Sequence, residues 1–141
     1  MEEFDLERFV RAQNEGQTYE HALAELRAGR KESHWMWFVF PQMAGLGQSA
    51  TSRHFAVSGL DEAHAYLAHE TLGPRLLECC RVLLALENRS AEEVFGPLDA
   101  LKLRSSMTLF MRAEPGDPLF ARVVDRFFAG VPDPATEALL E

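Results

Sequence analysis

The stretch TLGPRLLECCRVLLALEN, residues 71–88, constrains the fold more than any other part of the chain. Leu76, Leu77, Cys80, Leu83, Leu84 and Leu86 recur at intervals that bring them onto one wide stripe of an α-helix. Pro74 falls in the first turn, where its missing N–H leaves no bond unmade. A stripe that wide has to be covered by other elements, and the remaining sequence supplies helices to cover it. FDLERFVRAQ predicts a helix from about residue 5 to residue 13. TYEHALAELRAG predicts the next, capped by Thr18 and stopped at Gly29. A further helix is capped by Asp61, and SAEEVFG opens with the Ser90–Glu93 capping box. PLDALKLRSSMTLFMR follows, with Leu98, Leu101, Met107 and Phe110 turned inward. DPLFARVVDRFFAG and a terminal turn from Asp133 complete the series. Residues 54–58 read as extended, and the aromatics with Val39 in residues 34–39 favour a strand where Ser33 favours a short helix, but the alternation of a sheet protein is missing. The expected fold is therefore mainly α: a compact single-domain bundle, residues 1–141, of about seven helices with at most one or two short strands.

Charge narrows the partners. The 141 residues carry 14 Lys and Arg against 22 Asp and Glu, a net charge of −8. A field of that sign repels phosphate backbones, so no broad nucleic-acid binding is expected. A local basic pocket for one small nucleotide-like ligand is compatible with it. No apolar run approaches the about 20 residues that span a bilayer. The start MEEFDLERFV lacks the pattern of a secretory leader. Cys79 and Cys80 are adjacent, diverge on a helix and suit small core residues better than a disulfide. A cytoplasmic, membrane-free protein is expected, and the sequence carries no signature of an oligomeric state. His21, His34, His54, His64 and His69 form no HxH or HxxxH pair, so neither a metal nor a cofactor is expected.

HWMWFVFPQ, residues 34–42, is where chemistry enters. Two Trp and two Phe stand within residues 35–40. Ser33 can cap a short helix over residues 34–39, and Pro41 extends the backbone after it. These rings can stack a flat ligand, with His34 or Gln42 supplying a polar edge, or they can simply build the core. Two tryptophans two residues apart cannot both face the same way, so one of them is expected at a pocket wall. The loop that follows, PQMAGLGQSATSR, joins Gly45 and Gly47 to Ser49, Ser52 and Arg53, a set that fits a phosphate or a sugar. Asp99, Lys102 and Ser106 share a helix face. They read either as a minimal activated nucleophile or as an i,i+3 ion pair beside packed serines.

AELRAGRKESHWMWFVFPQMAGLGQS, continued by EEVFGPLDALKLRSSMTLF, resembles a bacterial family of conserved proteins, the domain of unknown function eighteen-ten. The resemblance covers nearly the whole chain and implies a compact, mostly helical domain. TYEH, HETLGPRLLE and EEVFGPLDALKLRSSM are also similar, in the same order, to three elements of the NADAR superfamily, with Phe95 where that family has tryptophan. Its members cleave N-glycosidic bonds of ribose derivatives. That resemblance implies Glu20 as a catalytic residue. The sequence thus leaves two readings. In the first, Glu20 or Asp99 acts on an N-glycosidic bond. His34, Trp37, Gln42, Ser49, Ser52, Arg53 and Lys102 then bind a nucleotide- or ADP-ribose-derived molecule. In the second, the chain is a non-catalytic helical protein-interaction module.

Overall fold

A computed structural model of the chain describes residues 4–141; Met1–Glu3, on which the leader reading partly rests, lie outside the described residues. In chain order the helices are α1 (Glu7–Asn14), a 3-10 turn (Glu15–Gln17), α2 (Thr18–Ala28), α3 (Met36–Val39) and α4 (Ala50–His54). They continue with α5 (Leu60–Ala68), α6 (Leu72–Ala85), α7 (Ala91–Phe95), α8 (Pro97–Ala113), α9 (Leu119–Phe128) and α10 (Pro134–Leu140). These are ten helices among the described residues, against about seven expected; α3, α4 and α7 are pieces of only four or five residues, and α4 is the one the sequence did not announce. Among the described residues there is no sheet. The extended segment expected over residues 54–58 is corrected: His54 ends α4, Phe55 turns, and only Val57 makes a bridge, parallel to Met43. No helix among the described residues is long and apolar enough to cross a membrane.

Local chemistry explains most boundaries. Gly29 ends α2 in the left-handed region at φ 75°, and its N–H and that of Arg30 reach back to α2 carbonyls. Ser90 and Glu93 form the full reciprocal capping box of α7. Asp133 caps α10 through the N–H of Thr136. Three expected caps are corrected. Thr18 is already inside α2, and its hydroxyl donates to the Glu15 carbonyl at 2.5 Å while left-handed Gln17 stands at the cap position. At α5 the cap position is Gly59. Asp61 sits in the first turn, where the helix dipole favours its charge. Ser33 does not cap α3 either; it is drawn to Glu25, as described below.

α8 is the central helix, packed against α5, α7, α9 and α10, while α6 packs against α2, α5 and α9. The run Ser105–Phe110 is buried on every side of α8. That burial brings hydroxyls inside, and the helix satisfies two of them locally. Ser105 donates to the Leu101 carbonyl at 3.1 Å and Thr108 to the Arg104 carbonyl at 2.8 Å. In the first turns of α8, Ala100 and Leu103 are buried, but another face lies outside this packing. Leu98 is 74% exposed and Leu101 57%, so the inward placement expected for them is corrected. Apolar spacing marks a stripe, but only a neighbouring element buries it.

Candidate functional site

The aromatic run is set in place by one carboxylate. Glu25, on α2, accepts the N–H groups of Glu32 (2.8 Å) and Ser33 (3.0 Å), the Ser33 hydroxyl (2.5 Å) and the Trp35 indole N–H (2.9 Å). Burial acts to raise this carboxyl, but the four donors outweigh it and hold it at about 2. The segment between α2 and α3 is thereby folded back on α2. Trp35 is fully buried with its N–H satisfied. Trp37, two residues on, faces the other way and is half-buried. The two readings of the run therefore divide between its members: Trp35, Met36, Val39 and Phe40 build the core, and Trp37 forms a wall.

That wall belongs to a cavity of about 370 Å³ between the α2–α3 segment and the start of α8, lined by Lys31, His34, Trp37, Phe95, Leu98, Asp99 and Lys102, among others. Asp99 lines it between two lysines. Its two carboxylate oxygens meet Lys31 at 2.8 Å and Lys102 at 3.1 Å. Burial pushes the Asp99 carboxyl up, but hydrogen bonds from both ammoniums and their charges bring it below the ordinary carboxylate value. Lys31 is nearly enclosed, its side chain 8% exposed, and also donates to the Ser33 carbonyl at 2.6 Å. Its ammonium lies 5.0 Å from the ring of Trp35, while that of Lys102 lies 5.1 Å from the ring of Trp37. Two ammoniums face one carboxylate, so the cleft is locally cationic within an acidic protein.

A second cavity, about 260 Å³, adjoins Lys102 on the side of the glycine loop. Gln42, Leu46, Gly47, Ser52, Leu101, Lys102, Ser105, Asp133 and Ala135 line it. Gly47 is needed there, because a Cβ would lie 2.4 Å from the Cβ of Ser52. Ser49 caps α4 by accepting the Ser52 N–H at 3.1 Å, so this part of the loop is helical.

The structure thus brings His34, Trp37, Asp99 and Lys102 together around one cavity, and Gln42, Ser52 and Lys102 around the other. Ser49 is an exposed cap, and Arg53 is exposed on α4 outside both linings. Glu20 is exposed in the first turn of α2 and likewise lines neither. Ser106 is fully buried, and its hydroxyl has no hydrogen-bond partner among the described residues. Asp99 and Lys102 form the i,i+3 pair of the plainer reading. Sequence reasoning missed Lys31, Asp133 and Glu25. Arg27, Arg30 and Lys31 form a basic cluster at the end of α2, the one local signal for Lys31; nothing local marks the other two. Cys79 and Cys80 are buried free thiols, and burial pushes Cys79 up to about 12. Among the described residues no three His, Cys, Asp or Glu side chains are grouped to hold a metal.

A family model described as a protein of unknown function, DUF1810, matches residues 3–140. Among solved structures, the conserved hypothetical protein Rv1873 from Mycobacterium tuberculosis is 50% identical, with a TM-score of 0.95. The match covers 99% of this chain and 98% of that one. A comparison with curated proteins returns no match.

Proposed function

We propose, from the premise that this chain belongs to the DUF1810 family and takes its chemistry from its own site, that the Trp37 cleft binds a small nucleotide- or ADP-ribose-derived molecule. The observation that carries the reading is the pairing of a half-buried indole with an ammonium: Lys102 over Trp37, in a cavity of ligand size. The indole stacks the base, and Lys102 with His34 meets a phosphate. Asp99 is ionised at neutral pH and lies in the same cleft. That state suits it to orient water and to stabilise an oxocarbenium ion, not to donate a proton. N-glycosidic hydrolysis here would add the water oxygen to the anomeric carbon and pass the bonding pair and a proton to the departing base. Glu20, outside the cleft, is not assigned a part in it.

Titration with ADP-ribose tests the binding. Tryptophan fluorescence is expected to be quenched, and the quench to vanish in Trp37→Ala while buried Trp35 remains. No quench, or a quench that survives Trp37→Ala, overturns the reading. Chromatography of NAD or AMP incubated with the protein tests hydrolysis: released base is expected from the native chain and not from Asp99→Asn. Leu98, exposed at the cleft, and Leu101, exposed at the smaller cavity, favour the second reading, a non-catalytic interaction module. A nucleotide bound at 100 times its dissociation constant stabilises by about 2.7 kcal/mol. A nucleotide panel that leaves the melting temperature unmoved would turn the balance to that second reading.

A further inference from the structure

The smaller cavity beside Lys102 carries polar groups that the fold does not use. Asp133 spends one oxygen, Oδ2, on the Ser105 hydroxyl (3.2 Å), the Thr136 N–H (3.0 Å) and the Thr136 hydroxyl (2.6 Å). Its other oxygen, Oδ1, makes no hydrogen bond among the described residues. The Gln42 carboxamide, half-buried, has no side-chain partner among them either. The Ser52 hydroxyl accepts from Ser49 at 2.9 Å and keeps its own proton free to donate. Between these groups stand Leu46, Leu101 and Ala135, which offer aliphatic surface. An acceptor-only carboxylate oxygen, an amide that both donates and accepts, and a hydroxyl donor, set around an aliphatic wall, match one chemistry well. A sugar ring presents adjacent hydroxyls on its edge and C–H groups on its face. At about 260 Å³ the cavity lies below the usual range for a whole drug-sized ligand and suits one ring.

We propose that this cavity is a sugar subsite, taking a ribose-like ring with vicinal hydroxyls. Asp133 Oδ1 accepts from the hydroxyl pair, Gln42 and Ser52 meet the remaining oxygens, and Lys102 holds the phosphate at the junction with the Trp37 cleft. The proposal rests on the preceding reading for the phosphate at Lys102 and on its own residues for the sugar. It narrows the ligand to one that carries a base or other flat ring on one side of a phosphate and a sugar on the other.

Calorimetric titration with ribose 5-phosphate, inorganic phosphate and AMP tests it on the native chain and on Gln42→Leu, Asp133→Asn and Trp37→Ala. Asparagine keeps the α10 cap, since it accepts the same N–H. Gln42 has no partner to lose, so its variant keeps the test open even if Asp133→Asn fails to fold. Ribose 5-phosphate is expected to bind at least tenfold more tightly than phosphate. Gln42→Leu and Asp133→Asn should each cost about tenfold of that, and Trp37→Ala should cost nothing. Equal affinity for ribose 5-phosphate and inorganic phosphate overturns the sugar subsite, as does indifference to both subsite variants. AMP lost only in Trp37→Ala, with ribose 5-phosphate unbound, would leave the Trp37 cleft standing and remove the subsite. Ribose 5-phosphate bound with AMP unbound would do the reverse.

Discussion

Trp35 and Trp37 stand two residues apart, and each lies beside a carboxylate, yet the two neighbourhoods are built for different ends. Around Trp35, Glu25 is held by neutral donors only, four hydrogen bonds from groups of its own fold. Around Trp37, Asp99 is held by two lysines whose ammoniums face a cavity. A carboxylate satisfied by N–H and O–H groups is fixed, since nothing arriving from solvent can replace backbone donors. A carboxylate satisfied by lysines has partners that an incoming anion can recruit. The contrast shows how one short aromatic run can serve the core and a site at once.

The sharpest way to break the comparison is to remove each ring. Trp35→Ala is expected to cost about 3–5 kcal/mol, the range for a fully buried aromatic. Trp37→Ala should cost about 1 kcal/mol or less, since part of the ring already meets water. Urea unfolding of both variants decides it, and equal losses would erase the distinction between core and wall.

Next in size is Glu25. Its folded value of about 2 lies below the ordinary 4.5, so the native state binds its proton more weakly than the unfolded chain does. Its contribution is then complete above about pH 4.5 and is lost as pH falls toward 2. Glu25→Gln should lower stability at pH 7 by about 1.5–3 kcal/mol, the usual worth of hydrogen bonds to a charged group. It should also flatten the acid limb between those two values. An acid limb that is unchanged in the variant would reassign the transition to other carboxylates.

Asp99→Asn is expected to have a smaller effect on stability, about 1–2 kcal/mol, because Lys31 is enclosed but Lys102 still reaches water. Its effect on the cleft has the opposite sign. With the carboxylate gone the two ammoniums are released, and inorganic phosphate should bind more tightly than to the native chain. Weaker phosphate binding would mean that Asp99 positions the lysines and does not compete for them. The smallest change is expected from Arg53→Ala, within about 0.5 kcal/mol of native stability as for an ordinary surface site, with ligand affinity nearly unaltered.

The helices were legible because their signals are local. Gly29, the Ser90–Glu93 box and Asp133 declare helix ends within a few residues of themselves. α4 was hidden by the glycine and serine around it, although Ser49 and Ser52 had cap spacing. The cleft was legible in half. His34 and Trp37 came from one dense stretch, and Asp99 with Lys102 from one helix face. Lys31 read as a basic residue at a helix end, because its tie to Asp99 crosses from the α2 end to α8 and leaves no periodic trace. Glu25 was passed over for the same reason: it binds a chain that doubles back, and reversal has no spacing rule. Leu98 and Leu101 failed as core residues because the face they share has no neighbour at that end of α8.

Lys31 has a consequence for how the molecule comes apart. Its backbone N–H donates to the Val94 carbonyl at 2.7 Å, and its side chain holds Ser33 and Asp99. One residue thus ties the segment after α2 to α7 and the start of α8, which are remote from it along the chain, and contacts of that kind form only after a long loop has been closed. The cleft is therefore a seam that closes late and opens early. Loosening that stitch, as in Lys31→Met, would hasten unfolding and leave the folding rate nearly untouched. Its amide proton would exchange with solvent before those of the α8 interior.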